Sequence, residues 1–131
     1  KRHTGVGLLG EPGSLAWTQL NAANPAAAAP FYGGLFGWTH RVDPMPWGGM
    51  YVTFLAGRDA RGGGLPMPPG VNAPAHWLPY FATDDVDATA AKASSLGGRP
   101  HLPPTDIPGT GRIAVLADPQ GAAFAIVKFS V

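Results

Sequence analysis

Residues 14 to 38 read Ser14-Leu15-Ala16-Trp17-Thr18-Gln19-Leu20-Asn21-Ala22-Ala23-Asn24-Pro25, an alanine run over 26–29, and then Pro30-Phe31-Tyr32-Gly33-Gly34-Leu35-Phe36-Gly37-Trp38. Leu15 to Asn21 alternates well enough for a half-buried strand. Asn24 before Pro25 predicts a helix start, with a capping amide and proline at the first helical position. Gly37 ends that helix and Trp38 opens a second extended run, so the unit is strand, helix, strand. Pro30 lies beyond the first turn, where it removes a backbone bond at a cost of about 3 kcal/mol; a kink there, or a later effective start, is expected.

The same unit recurs 61 residues on without a gap. Leu35, Gly37, His40, Gly48, Leu55 and Ala56 return as Leu96, Gly98, His101, Gly109, Leu116 and Ala117, and Asn24 returns as the helix-starting Asp85. Shared glycines are weak evidence in a chain with 19 of them. The shared order of caps, helix ends and strand pairs points to duplication.

With 131 residues the chain is one domain by size. Charged residues make up 13%, the net charge is +1, and Lys and Arg do not cluster, which argues against a nucleic-acid or anionic-membrane partner. At 45% hydrophobic it is too apolar to stay disordered, despite 15 prolines. No apolar run reaches the roughly 18 residues of a membrane span, and the N-terminus lacks the apolar segment of a secretory signal. The absence of cysteine excludes disulfides and thiolate chemistry and fits a cytoplasmic location.

Residues 1–13, including His3, read as an N-terminal arm or interdomain linker, followed by a domain over 14–131. Its first module spans 14–66: strand Trp38 to Val42, a loop over 43–49, and a hairpin of Met50 to Ala56 with Gly63 to Pro66 across Gly57-Arg58-Asp59-Ala60. A proline-rich connector over 67–75 follows. The second module, 76–129, opens with strand His76 to Thr83. Asp84 or Asp85 then caps a helix that Gly97-Gly98 stops. A short strand near Arg99 to Leu102, a proline-rich loop, and a hairpin of Arg112 to Ala117 with Ala122 to Phe129 about Asp118-Pro119-Gln120-Gly121 complete the module.

Two strand-helix-three-strand modules resemble the vicinal oxygen chelate superfamily of glyoxalase I, extradiol dioxygenases and bleomycin-resistance proteins. The phrases Ala29-Pro30-Phe31-Tyr32-Gly33-Gly34-Leu35-Phe36-Gly37-Trp38, Asp84-Asp85-Val86-Asp87-Ala88 and Leu116-Ala117-Asp118-Pro119-Gln120-Gly121 carry the likeness over about residues 14–129. It implies an α+β fold of two βαβββ modules forming an incomplete eight-stranded, barrel-like cup with helices outside and the ligand within. Gly10-Glu11-Pro12-Gly13-Ser14-Leu15-Ala16-Trp17 further resembles the junction between domains of tandem members. A homodimer, or a partner domain in a longer parent, is therefore an expectation.

Metal-dependent relatives draw four ligands from His, Gln and Glu. The resemblance places those stations on Trp17, its repeat mate Leu78, Ala125 and the mate Gly64. None of these can bind a metal, whereas a catalytic divalent site needs about three protein ligands. His76 and Gln19 share faces with the first two stations but bring no carboxylate. No metal and no cofactor are expected.

Alternation then sets the inward face. It carries Trp17, Gln19 and Asn21 on the first strand, His76, Leu78, Tyr80 and Ala82 on the fifth, and Ala123, Ala125 and Val127 on the last, with His40 and Arg112 as further candidates. Ligand binding is assigned to Trp17, Gln19, Asn21, His76, Leu78, Tyr80, Arg112 and Ala125. An aromatic, apolar surface with a few polar anchors suits a small molecule. The expected function is metal-free binding or sequestration of a planar organic ligand such as an antibiotic or metabolite, with no nucleic-acid or membrane partner. The alternatives are a metal-dependent lyase, isomerase or dioxygenase, a metal-free enzyme using His76 or Tyr80, and a degenerate pairing domain.

Overall fold

A computed structural model describes residues 8–46, 48–67 and 73–130. His3, Trp47 and the middle of the expected connector lie outside them. The element order is β1 (Leu15–Ala22), α1 (Pro25–Phe36), β2 (Thr39–Pro44), β3 (Met50–Ala56), β4 (Asp59–Pro66), β5 (His76–Ala82), α2 (Val86–Ser95), β6 (Arg99–Ile107), β7 (Gly111–Ala117) and β8 (Ala123–Phe129). This is the expected α+β plan of two βαβββ modules. Among the described residues no helix is long and apolar enough to cross a membrane.

The chain divides into two compact units, Trp17–Leu78 and a second made of residues 8–16 with 79–130. In the first unit β1 pairs parallel with β4 (Gln19 opposite Gly63), while β3 pairs antiparallel with β4 and β2. Asn24 caps α1 by accepting from the Ala27 amide at 3.4 Å, and Gly37 ends it in the left-handed region at φ 74°. The helix runs from Pro25 through Pro30, so its start is not delayed. Pro30 is exposed at the helix surface. Leu20, Ala29, Val52 and Phe54 form the core, walled by Tyr32, Trp38 and Trp77.

In the second unit β5 pairs parallel with β8, and β7 runs antiparallel between β8 and β6. Asp85, not Asp84, caps α2, accepting from the Ala88 amide at 3.0 Å. Val86, Ala90, Ala114, Leu116 and Ile126 form an aliphatic core. The segment before β1 is tied in: the Gly13 amide donates to Ala82 O and the Ala82 amide to Ser14 O, both at 2.9 Å.

Three boundaries differ by more than one residue from the sequence reading. β4 begins at Asp59, because Gly57 at φ 62° permits a two-residue turn in place of a four-residue one. β2 extends to Pro44. β6 continues through Pro103 and Pro104, because it ends its unit's strand row and its pairing with β7 is interrupted after Pro100 and again after Leu102.

Those interruptions alter the repeat. From β1 to β5 and from α1 to α2 the offset is 61: the buried helix residues Pro25 and Ala29 match Val86 and Ala90. In the hairpins it is 62, since the core pair Val52 and Phe54 matches Ala114 and Leu116. Strand pairing agrees, with Gln19 opposite Gly63 and Tyr80 opposite Ala125. The mate of Ala125 is therefore Gly63 and not Gly64.

Candidate functional site

Each sheet half has one face packed on its helix and one turned away. In the first unit a Cβ on Gly64 would meet the Pro25 Cβ at 2.7 Å, so that position faces α1. A Cβ on Gly63 would instead collide with the Tyr51 hydroxyl, which sets Gly63 and Tyr51 on the face away from the helix. The absent side chain makes room for the phenol to reach Trp17, whose Nε1–H donates to Tyr51 Oη at 3.0 Å. Burial raises the Tyr51 phenol above its ordinary range, an effect opposed by the bond from Trp17. Thr53, opposite Gly63 in register, is buried on the same face.

Beside this aromatic pair runs a chain of polar groups. Gln19 Nε2 donates to Asn21 Oδ1 at 2.9 Å, Asn21 Nδ2 lies 3.3 Å from His76 Nε2, and His76 Nδ1 lies 2.9 Å from Pro74 O. Residues two apart on a strand share a face, which brings Gln19 and Asn21 together; His76 arrives from the start of β5. Leu78, two residues on, is buried.

Trp17, Gln19, Asn21 and His76 are thus brought together in the first unit, and Leu78 follows His76 along the same face of β5. In the second unit Tyr80 and Ala125 are register partners, both buried, on the face opposite the Phe124 and Ile126 that pack toward α2. Arg112 lies elsewhere. Its Nε and Nη2 donate to the two carboxylate oxygens of Asp87 at 2.7 and 2.9 Å, and its Nη1 donates to Asp106 at 2.9 Å. The pairing lowers the Asp87 carboxyl and raises the guanidinium. An open hollow of about 410 Å³ beside it is lined by Ile107, Pro108, Lys128 and Phe129 among others. His40 is opposite Phe54 in register and therefore on the helix-bearing face, exposed. Tyr51 and Thr53 escaped the sequence reading. A 61-residue offset matches Tyr51 with Arg112, whereas the observed 62 matches it with Ile113.

The vicinal oxygen chelate resemblance implies a metal at four stations. With the corrected mate these are Trp17, Gly63, Leu78 and Ala125, an indole, a hydrogen, an isobutyl and a methyl group. Among the described residues no three of His, Cys, Asp and Glu are grouped to hold an ion. This donor set does not fit a resident divalent metal.

Residues 14–126 match the model of the Glyoxalase/Bleomycin resistance protein/Dioxygenase superfamily. The chain belongs to that superfamily. Over 127 residues it is 46% identical to CFP32 of Mycobacterium tuberculosis, whose name places it provisionally among the glyoxylases, covering 97% of this chain and 48% of that protein. It is 44% identical over 133 residues to the anthracycline biosynthesis protein DnrV of Streptomyces peucetius, covering 92% of this chain and 48% of the relative. The chain thus spans about half the length of the curated relatives it matches. Among solved structures it is similar to methylmalonyl-CoA epimerase of Streptomyces coelicolor (TM-score 0.64, 18% identity, 92% and 97% of the two chains) and of M. tuberculosis (TM-score 0.61, 14% identity, 89% and 88%). At these identities the likeness is one of fold.

Proposed function

We propose that this member of the superfamily binds a flat, largely apolar organic molecule without a resident metal, on the helix-free face of its first unit. The observation that carries the proposal is the Trp17–Tyr51 pair, which lies over Gly63 where the family pattern calls for a metal ligand. Rings of this kind offer stacking area, and the adjacent Gln19–Asn21–His76 chain offers polar anchors. The name of DnrV, a protein of anthracycline biosynthesis, supports a polycyclic aromatic ligand, held as a biosynthetic intermediate or sequestered as an antibiotic.

Covering about 300 Å² of apolar ligand at roughly 25 cal/mol per Å² supplies about 7 kcal/mol. Association costs at least about 4 kcal/mol. Ring contact alone therefore gives weak binding, and the polar anchors decide affinity.

The test is a fluorescence and calorimetric titration with flat aromatic compounds, in chelator and again after adding nickel, zinc, manganese or iron. Saturable binding that metals leave unchanged, and that Trp17→Ala weakens at least about tenfold, is expected. Stoichiometric metal uptake would instead favour the alternative of a metal-dependent lyase, isomerase or dioxygenase.

A further inference from the structure

The imidazole–amide chain has a direction. Pro74 O is a carbonyl oxygen and can only accept, so the His76 Nδ1 that faces it carries the ring hydrogen. The other ring nitrogen, Nε2, is then a lone pair, and Asn21 Nδ2 donates to it. Asn21 Oδ1 is turned toward Gln19 and accepts from its Nε2. One backbone carbonyl thus orients three side chains.

The direction fixes what is left over. Asn21 uses its oxygen and one amide hydrogen inside the chain and retains its second amide hydrogen for a ligand. Tyr51 accepts from Trp17 through its oxygen, which leaves its own O–H to donate. A phenol is protonated at neutral pH in any case, and burial raises this one further. Gln19 is only 7% exposed, whereas Asn21 and Tyr51 are both partly open. Asn21 and Tyr51 therefore each offer a hydrogen-bond donor on this face.

We propose that Asn21, oriented by His76, is a specificity-determining donor, and that the ligand class is a flat conjugated ketone or quinone whose carbonyl oxygen accepts from Asn21 Nδ2. The assignment rests on the binding reading above and narrows it. A hydrocarbon of the same shape gains the ring contact with Trp17 and Tyr51 but covers Asn21 and leaves its hydrogen without an acceptor, which is the costly case. A carbonyl oxygen satisfies it. His76 acts as a positioning residue: without it the Asn21 amide can rotate and present oxygen in place of hydrogen.

The experiment compares 1,4-naphthoquinone with naphthalene by calorimetry and tryptophan quenching; the chain has no cysteine for the quinone to alkylate. The wild-type chain is expected to bind the quinone at least about tenfold more tightly, the size of discrimination that one satisfied polar group gives. Asn21→Asp keeps the side-chain size but replaces the free donor with an acceptor, and it should abolish the preference for the quinone. His76→Leu should reduce the preference part-way. Tyr51→Phe, which deletes one hydroxyl and leaves the ring, should also lower it and guards against a folding defect in the Asn21 variant. Equal binding of the two probes, or a preference that survives Asn21→Asp, overturns the donor assignment and leaves the binding reading standing. Binding of neither probe overturns both.

Discussion

The core of the first unit is walled by rings, whereas the buried core of the second is aliphatic. Tyr32 touches Trp38, Phe54 and Trp77 at centroid distances of 5.9, 5.8 and 5.4 Å, and Trp77 Nε1–H donates to Tyr32 Oη at 3.0 Å. The second unit fills the same place with Val86, Leu116 and Ile126. The helices differ in the same sense: α1 has no charged residue, while α2 carries Asp87 and Lys92. One backbone plan has therefore diverged in side-chain chemistry, and the unit richer in rings also carries the polar chain and the Trp17–Tyr51 pair. The comparison breaks most easily at its centre. Phe54→Ala, at 1% exposure, should cost about 3–5 kcal/mol in denaturant unfolding, whereas Ile126→Val in the other core should cost about 1 kcal/mol. Equal effects would show that the two cores do not differ in what they contribute.

The next contrast sets Gly63 against its mate Ala125. Ala125 fits with its methyl fully buried, while a methyl at Gly63 would strike the Tyr51 hydroxyl. Gly63→Ala should cost about 1–3 kcal/mol by overpacking, break the bond to Trp17 and shift the indole emission. In a Tyr51→Ala background the same change should cost much less, because the obstacle is gone. Additive effects would place the strain in the backbone instead.

Much of this was legible in the residues. Asn24 and Asp85, Pro25 and Val86, and Ala29 and Ala90 keep a constant spacing because a helix advances regularly, so the helix starts could be read to within a residue. That Trp17, Gln19 and Asn21 share one face of β1 followed from strand alternation. The hairpins were harder. β6 carries one extra residue at each of two irregularities, after Pro100 and after Leu102, in a segment whose prolines mimic a loop. Nothing in a single sequence distinguishes a bulged edge strand from that loop. An offset of 61 sets Tyr51 against Arg112, whereas the observed 62 sets it against Ile113, so the repeat gives no sign of the phenol over Gly63. Arg112 was legible as a cation but not as a partner of Asp87, a contact that spans 25 residues.

The caps offer a smaller test of the same pair of modules. Asp85 accepts from the Ala88 amide at 3.0 Å, Asn24 from the Ala27 amide at 3.4 Å. Asp85→Ala should cost about 1 kcal/mol of stability. Asn24→Ala should cost less, because its bond is longer and Pro25 already sets the first helical dihedral. Thermal melts of the two variants would rank them, and the reverse order would mean that α1 depends on its cap more than its packing suggests.

The smallest expected effect belongs to the second unit alone. Arg112 holds the Asp87 carboxyl below the usual range, and α1 has no acidic residue in its first turn to match it. A carboxyl whose folded-state pKa is depressed adds stability that is present above the pKa of the unfolded chain and is lost as pH falls through the lowered folded value. Asp87→Asn should therefore melt slightly below the parent at neutral pH, and the gap should close on acidification below the ordinary carboxylate range. Because the pair is exposed, about 1 M salt should also shrink the gap. A gap that persists in acid would mean that Asp87 acts through the geometry of the α2 start and not through its charge, which would leave Arg112 held by Asp106 alone.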